Sequence, residues 1–423
     1  MRQIRTGWWP LAVAALATLF AGGTATAWRS SAADGELRAL WVLRTSLTSP
    51  ESIATVVARA SEHGFNALFV QVRGRGDAYY RGALEPIPAA IQRQPESFDP
   101  LTAVIDAAHA SGIQVHAWIN VNLVSSAVEL PTAREHLVHR SPEWLMVPRD
   151  IAQELAGVPV DSPAYLGKLA RWSRQQSAEV EGLYTSPILP AAAAHLEAVV
   201  RDIVTRYGVD GVHFDYARYP TDRFDYSRAA IAAFRATVMS QLPDGQRRAL
   251  DAEAAVDLFA WPDALPEEWR AYRVDRMTAL MTRLGSAVKA VRPTILVSVA
   301  AAPDRAEALH RRLQDWGTWI TEGIVDAVAP MAYTQELARF AEQIAAAREI
   351  AGPRRVWAGI GAYRLSPEQT VENIGTARRL GAAGIILFSY DSLINPRQTA
   401  PDYLPIVSRA AFGPRSGASG SRE

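Results

Sequence analysis

Asp215 is the residue of this sequence that is best placed to do chemistry. It ends the stretch 209–215, whose apolar residues predict a buried strand, and charged and aromatic residues follow it at once. In a barrel of parallel strands the chemistry lies at the carboxyl ends, so a carboxylate just past an apolar run is a candidate catalytic acid or base. The alternative is that Asp215 caps a helix or pairs with Arg218 at the surface.

Carboxylates of this kind support glycoside hydrolysis when they occur in pairs, one protonating the leaving oxygen and one acting as nucleophile or base. The possible partners of Asp215 follow other predicted strands, at Asp77, Asp304, Glu336 and Asp391. We rank Asp391 and Glu336 equally as the second catalytic acid. The alternative for Glu336 is that its negative charge stabilises the N-terminus of the next helix. The seventh predicted strand ends in Gly361-Ala362-Tyr363, which argues against a strand-seven glutamate nucleophile.

Polar and aromatic side chains at the same strand ends could bind hydroxyl groups and stack on sugar rings. We predict as substrate-binding residues Gln71, Arg73, Asp77, Tyr79, His116, Trp118, Asn120, His213, Tyr216, Arg218, Tyr219, Tyr333, Tyr363 and Tyr390. Structural alternatives exist for them. His116 and Trp118 alternate with core residues and could be interior groups. Asp77 could pair with Arg73 or Arg75 to shape its loop.

The sequence contains no pattern typical of a cofactor site. His213 and Asp215 share one face of a strand, but no His-x-x-x-His pair or comparable ligand cluster accompanies them, so we expect no metal and no cofactor. There is no cysteine, which excludes disulfides and a thiol nucleophile. Lys+Arg and Asp+Glu both number 44, so no overall charge attracts nucleic acid or an anionic membrane.

Eight β-like runs, most of them followed by a helical run, must position these groups. They are residues 37–44, 67–72, 113–119, 209–215, 295–299, 325–329, 355–360 and 384–388. This alternation predicts an α/β fold, a (β/α)8 TIM barrel with long insertions after strands three and four. A doubly wound open sheet is the alternative, which the lack of an early Gly-x-Gly-x-x-Gly turn disfavours. We expect the insertions, 125–190 and 221–266, to lie over the carboxyl face.

Residues 1–27 have the pattern of an export signal. Arg2 and Arg5 form a basic start, an apolar run follows, and Ala25-Thr26-Ala27 is a small-residue cleavage site. The alternative is an uncleaved membrane anchor. We expect cleavage, with a barrel domain at 28–412 that is periplasmic or secreted. Residues 413–423 are mainly Gly, Ser and Arg, a composition that predicts a disordered tail.

Several motifs occur in an order that matches a known group of proteins. They are Gln71-Val72-Arg73, Gly76-Asp77-Ala78-Tyr79-Tyr80, Phe98-Asp99-Pro100-Leu101, His116-Ala117-Trp118-Ile119-Asn120 and Asp210-Gly211-Val212-His213-Phe214-Asp215. Over residues 37–393 the chain resembles the glycosyl-hydrolase-like family 10, a group of barrel proteins of exported type, some associated with bacterial cell-wall glycan. Two positions depart from the pattern. Tyr216 stands where many relatives carry a second aspartate, and Val121 stands where a proline is common.

The resemblance implies an exported glycoside hydrolase that acts on O-glycosidic bonds of a polysaccharide, with cell-wall glycan as a candidate substrate. A catalytically inactive glycan-binding barrel and a metal-dependent sugar deacetylase are the alternatives. Because Arg218 and His213 neighbour Asp215 in sequence, we expect Asp215 to be an ionised nucleophile or base at neutral pH. We expect one cleft to be formed by Asp215, His116, Asn120, Gln71 and Asp77.

Overall fold

Eight parallel strands form a closed barrel in sequence order, with β1 pairing to both β2 and β8. The strands are β1 Leu37–Val42, β2 Ala67–Arg73, β3 Gln114–Asn120, β4 Gly211–Asp215, β5 Leu296–Ala301, β6 Ala327–Ala332, β7 Arg355–Ile360 and β8 Gly384–Leu387. The predicted (β/α)8 barrel is therefore confirmed. This computed structural model describes residues 35–395, 397 and 402–413, so the predicted signal segment and nearly all of the predicted tail lie outside the described residues.

Helices surround the barrel and occupy its two long connections. They are α1 Pro50–Glu62, α2 Ala89–Gln92, α3 Pro100–Ala110, α4 Leu137–Arg140, α5 Arg149–Leu155, α6 Pro163–Gln175, α7 Pro190–Arg206, α8 Arg228–Val238, α9 Asp244–Ala254, α10 Ala260–Ala264, α11 Pro266–Val291, α12 Trp316–Thr321, α13 Leu337–Ala351, α14 Pro367–Arg379, α15 Tyr390–Leu393 and α16 Tyr403–Ala411. Short 3-10 or π turns lie at Arg44–Leu47, Pro142–Trp144, Met239–Gln241, Glu307–Arg311 and Ala362–Arg364. Among the described residues, none of these helices is long and apolar enough to cross a bilayer.

Local capping groups explain where the barrel helices begin and end. The Ser49 side chain accepts the N–H of Ser52 in a capping box at the start of α1, and the Asp99 carboxylate accepts two N–H groups at the start of α3. Gly64 follows α1 with φ at 72°, a left-handed conformation in which glycine carries no Cβ penalty. These groups fix the start of α1 and α3 and the end of α1, each of which connects one barrel strand to the next.

The apolar residues form three groups. Trp41, Phe69 and Trp357 help to fill the barrel interior, and a larger cluster packs the strands against the outer helices. The third cluster joins the two long connections, which pack on each other, to Trp269 and Tyr272 of α11. One backbone contact between them joins the Tyr226 N–H to the Val147 carbonyl at 2.8 Å. The insertions thus share a core of their own beside the barrel.

Candidate active site

The strand register places polar side chains together at the carboxyl end of the barrel. Asn120 at the end of β3 lies opposite Asp215 at the end of β4, and Gln71 on β2 lies opposite Trp118. A cavity of about 500 Å³ opens there, which is within the usual size of a small-molecule site. Its lining residues are Trp41, Leu43, Arg44, Thr45, Gln71, Arg75, Trp118, Asn120, Leu123, Glu181, Asp215, Tyr216, Arg218, Ala300, Met331, Tyr333 and Phe388.

Asp215 lines this cavity and is only 8% exposed. Burial raises the pKa of its carboxyl to about 6, against the opposing effects of the Tyr216 N–H and the Arg218 charge. The Tyr216 N–H donates to Asp215 Oδ1 at 2.6 Å, and Tyr216 itself has a φ of 51°. Arg218 does favour the carboxylate, as the sequence predicts, but desolvation outweighs it and the net shift of the Asp215 pKa is upward.

Glu181 is a second carboxylate in the same cavity. It comes from the long connection between β3 and β4, and its Oε1 accepts from Arg218 Nη2 at 2.6 Å. Its Oε2 accepts from the Tyr184 hydroxyl, also at 2.6 Å. Burial raises the pKa of Glu181, but Arg218 and Tyr184 outweigh it and the net shift is downward. The cavity therefore holds one carboxyl with a raised pKa and one with a lowered pKa.

Hydrogen bonds fix the polar groups around these carboxyls. Trp118 Nε1 donates to Asn120 Oδ1 at 2.9 Å, and Asn120 Nδ2 donates to the Gly74 carbonyl at 2.6 Å. Arg44 Nη1 donates to Gln71 Oε1 at 2.7 Å. These side chains are held in single orientations by their neighbours, which preorganises the cavity wall.

Aromatic rings also line the cavity. Tyr333 stacks on Phe388 with ring centroids 5.4 Å apart, and Trp41 meets the Tyr333 ring edge-on at 6.4 Å. The Arg218 guanidinium lies over the Tyr216 ring at 4.8 Å. Faces and edges of this kind are suited to the apolar faces of pyranose rings, as the sequence predicts for Trp118, Tyr216 and Tyr333.

The two predicted histidines do not reach the cavity. Both are fully buried in the barrel interior, one side-chain layer below the strand ends. His116 stacks on Phe69 at 4.3 Å, and burial lowers its pKa to about 4. His213 Nε2 accepts from Trp41 Nε1 at 3.1 Å, so its Nδ1 carries the proton towards Ser298 Oγ at 2.9 Å. They are neutral interior groups, and the expectation that His116 lines the cleft is wrong.

Arg73 and Asp77 also have structural partners instead of a place in the cavity lining. Arg73 forms a buried two-bond ion pair with Glu85, both N···O distances being 2.6 Å, and it donates to the Asn120 carbonyl. Asp77 Oδ1 accepts the N–H groups of Gly74 and Arg75 at 3.2 and 2.7 Å. These contacts shape the loop after β2, as the structural alternative for Asp77 predicts, but the partners of Asp77 are backbone N–H groups and Arg44 Nε at 3.7 Å, where the guanidinium of Arg73 or Arg75 was expected.

Neither predicted second acid lines the central cavity. Asp391 accepts the Leu43 N–H at 2.8 Å and the Ser46 hydroxyl at 2.6 Å, so its oxygens hold the loop after β1. Glu336 is exposed at the start of α13, in a separate cavity of about 390 Å³. That cavity shares Met331 and Tyr333 with the central one.

The remaining predicted tyrosines lie outside the central cavity. Tyr79, Tyr219 and Tyr390 belong to the core between strands and helices. Tyr363 is 39% exposed and packs edge-on against Tyr333, with ring centroids 6.2 Å apart. Strand-end position alone thus does not decide whether a tyrosine side chain points to the cavity or to the core.

Comparison with known proteins identifies the family of this chain and agrees with its barrel fold. The sequence profile of the family described as Glycosyl hydrolase-like 10 matches residues 36–368. The chain belongs to this family. Glycosyl hydrolase YngK of Bacillus subtilis is 23% identical over 332 residues, which cover 71% of this chain and 54% of that relative. Glycosyl hydrolase DigH of Escherichia coli K12 is 23% identical over 362 residues, covering 78% of this chain and 72% of DigH. The chain thus spans about half the length of YngK.

Solved structures share the fold of this glycosyl hydrolase-like 10 protein. The PgaB (BpsB) glycoside hydrolase domain from Bordetella bronchiseptica matches with a TM-score of 0.59 at 15% identity, covering 89% of this chain and 99% of that domain. The endo-beta-1,4-mannanase from Thermotoga petrophila matches with a TM-score of 0.51 at 11% identity, covering 92% and 79%. These likenesses show the barrel fold. The family itself supports a hydrolase that acts on glycans.

Three charged residues of this glycosyl hydrolase-like 10 cavity were missed at the sequence level. Arg44 and Arg75 follow the strands β1 and β2, so the strand-end argument that found Gln71 could have found them. Glu181 lies in the long connection after β3, away from any strand end, and only its packing against Arg218 and Tyr184 brings it to the cavity.

Proposed function

We propose that this protein is an exported glycoside hydrolase that cleaves O-glycosidic bonds within a polysaccharide strand, with bacterial cell-wall glycan as the substrate to test first. One observation carries the proposal. The cavity contains two carboxyl groups whose environments shift their pKa values in opposite directions, Asp215 upward and Glu181 downward. Enzymes that hydrolyse glycosides use such a pair as proton donor and as ionised nucleophile or base.

Asp215 is the proposed general acid. Its buried carboxyl retains a proton at a higher pH than an ordinary aspartate, so it can protonate the leaving oxygen as the glycosidic bond breaks. Glu181 is the proposed ionised partner, either attacking the anomeric carbon or taking a proton from the attacking water. This assignment reverses the role that the sequence suggests for Asp215 and replaces Asp391 and Glu336 as the second carboxyl.

The shape of the site favours a polymeric substrate. The central cavity and the neighbouring cavity that contains Glu336 share Met331 and Tyr333 in their linings. A glycan strand bound across both would place one sugar ring beside Asp215 and further rings along α13. In this arrangement Glu336 contacts a distant ring and takes no part in bond cleavage.

The proposed export depends on the predicted signal segment, and N-terminal sequencing of the secreted protein tests it.

A binding protein without catalysis is the second candidate, and one observation favours it. Both carboxylate oxygens of Glu181 are already engaged, by Arg218 and by Tyr184, which leaves Glu181 less free to act as nucleophile or base. A sugar deacetylase has no such support, since the described residues contain no group of three His, Cys, Asp or Glu side chains that could hold a metal ion.

Hydrolysis is tested by incubating the protein with peptidoglycan, peptide-free glycan strands, and plant and storage polysaccharides, followed by mass analysis of the products. Asp215→Asn should abolish product formation while glycan binding, measured by calorimetry, persists. Asp106→Asn is the matched control, because it removes one carboxylate from the exposed outer face of α3. If the wild-type protein binds a glycan but releases no product from any of them, the binding candidate replaces the hydrolase.

A further inference from the structure

Arg75 presents to the central cavity a guanidinium group without an acidic partner. Its side chain lines the cavity, and among the described residues no carboxylate lies within ion-pair distance of it and no acceptor takes its hydrogen bonds. The acids of this region have other partners. Glu181 is bound by Arg218, and Asp77 is bound by backbone N–H groups and lies 3.7 Å from Arg44 Nε.

The backbone around Arg75 is fixed on both sides, so this arrangement is built into the fold. The Arg75 N–H donates to Asp77 Oδ1 at 2.7 Å, and the Arg75 carbonyl accepts from His136 Nε2 at 2.8 Å. The Val138 N–H donates to His136 Nδ1 at 3.3 Å, which fixes the tautomer with its proton on Nε2. Gly76 has a φ of 69°, and a Cβ there would lie 2.9 Å from the same His136 nitrogen. The long connection after β3 thus holds the Arg75 loop against the cavity.

A second arginine lies beside the first. Arg44 lines the same cavity, and its positive charge adds to burial in lowering the pKa of Arg75. Gly74 leaves the space for it, since a Cβ at Gly74 would lie 2.7 Å from Arg44 Nη1. Two like charges in a partly buried cavity repel each other, and a bound anion would relieve that repulsion. Arg44 and Arg75 therefore give the cavity two neighbouring positive charges, besides the Arg218–Glu181 pair.

We propose that Arg75, assisted by Arg44, binds a carboxylate group carried by a sugar residue of the glycan. This inference rests on the proposed function only in taking the central cavity as the place where the glycan binds. A planar carboxylate matches the fork of N–H groups on a guanidinium, and such charge-assisted pairs are stronger than neutral hydrogen bonds. A neutral polysaccharide would leave the Arg75 charge desolvated and unpaired. The site therefore selects acidic glycans over neutral ones of the same backbone.

Binding is measured by calorimetry with the Asp215→Asn protein, so that no substrate is consumed. The probes are peptide-free cell-wall glycan strands and polygalacturonate, each in its native form and after reduction of the carboxyl groups to alcohols. We expect the native form of one of them to bind roughly 10- to 100-fold more tightly than its reduced form, as a charge-assisted hydrogen bond predicts. Arg75→Gln should remove this preference, so that the native and reduced forms bind with similar affinity.

Two further variants separate recognition from bulk charge and from folding. Arg93→Gln removes one positive charge from an exposed site outside the cavity and should keep the preference for the native form. Arg75→Lys keeps the charge without the planar fork and should retain part of the preference. Thermal unfolding of each variant checks that the fold is intact. In the protein with Asp215 intact, Arg75→Gln should raise KM for the acidic glycan by a larger factor than it lowers kcat.

The outcomes distinguish this inference from the proposed function. If native and reduced forms bind equally, if neither binds, or if Arg75→Gln keeps the preference, the carboxylate site is refuted, even where the wild-type protein hydrolyses a glycan. If the preference depends on Arg75 but no glycan is cleaved, the carboxylate site stands and the hydrolase proposal fails.

Discussion

Replacing Asp215 with asparagine should stabilise the folded protein at neutral pH. The carboxyl of Asp215 is buried, and burial disfavours its ionised form. Asparagine has nearly the same shape, carries no charge, and keeps an Oδ1 that can accept the Tyr216 N–H. The variant would therefore lose the cost of holding a charged group in the cavity and retain the local hydrogen bond.

The size of this effect follows from the pKa of Asp215, which burial raises from 3.8 to about 6. A shift of roughly two units corresponds to about 3 kcal/mol. Because the folded protein binds this proton more tightly, the contribution of the carboxyl to stability is fully present below the unfolded pKa and is lost as the pH rises through the folded pKa. We expect the stability of Asp215→Asn relative to wild type to increase by about 2 kcal/mol between about pH 4.5 and about pH 7.5.

Urea unfolding at a series of pH values measures this difference. The other titrating groups are common to both proteins, so subtracting the two curves isolates the carboxyl of Asp215. Asp106→Asn, on the exposed face of α3, corrects for the general loss of one carboxylate. A stability difference that stays constant with pH, or that becomes smaller as the pH rises, would refute the argument that burial raises the pKa of Asp215.

Three other variants test the electrostatics and the packing around the cavity. Glu181→Gln should lower the pKa of Asp215, seen by carbon NMR titration, because it removes a negative charge that raises this pKa. Glu85→Gln should cost about 3–5 kcal/mol in urea unfolding at neutral pH by leaving Arg73 buried without a counter-charge. This loss should shrink as the pH falls from 4.5 through about 2, the lowered pKa of Glu85. Gly182→Ala should cost about 1–3 kcal/mol in urea unfolding, since its Cβ would overlap the backbone carbonyl of Ser125. It should also reduce hydrolysis, because Gly182 is the neighbour of Glu181 in the chain.

Each of these variants has an outcome that contradicts its reasoning. An unchanged or higher pKa of Asp215 in Glu181→Gln would mean that the Glu181 charge does not act on it. A loss in Glu85→Gln that is the same at acid and neutral pH would exclude the ion pair as its cause. Gly167→Ala, in the exposed part of α6 with no neighbouring atom within 4 Å of the new Cβ, is the control for Gly182→Ala and should be neutral or stabilising by up to about 1 kcal/mol.

The barrel and its best catalytic candidate were predictable because both depend on local patterns. Apolar runs that end in polar residues predict the strands, and N-cap residues such as Ser49 and Asp99 predict where the helices between the strands begin. Asp215 and Asn120 could be found because each is the last residue of its strand. The depth of a side chain inside the barrel could not be found in this way. Every second residue of a strand points inward, so His213 resembles Asp215 in pattern but lies one layer deeper.

The second carboxyl could not be predicted for a different physical reason. Asp391 was a reasonable candidate by position, but its oxygens are taken by the Leu43 N–H and the Ser46 hydroxyl, which lie at the other end of the chain. Glu181 lies in a connection without strand or helix periodicity at that point. Its position depends on contacts with Arg218 and Tyr184 that form only when the insertion packs over the barrel. Long-range packing of this kind leaves no local pattern in the sequence.

The backbone that follows β3 holds the backbone of Asp215 and Tyr216 in place. A residue with a left-handed φ such as Tyr216 costs about 1–3 kcal/mol unless its surroundings hold it. The Val121 N–H donates to the Asp215 carbonyl at 2.7 Å, and the Asn122 N–H donates to the Tyr216 carbonyl at 3.3 Å. Arg73 binds the same end of β3 through the carbonyl groups of Asn120 and Val121. The buried Arg73–Glu85 pair therefore holds the backbone segment whose Val121 N–H binds the Asp215 carbonyl. Its loss should disturb the cavity although neither residue lines it.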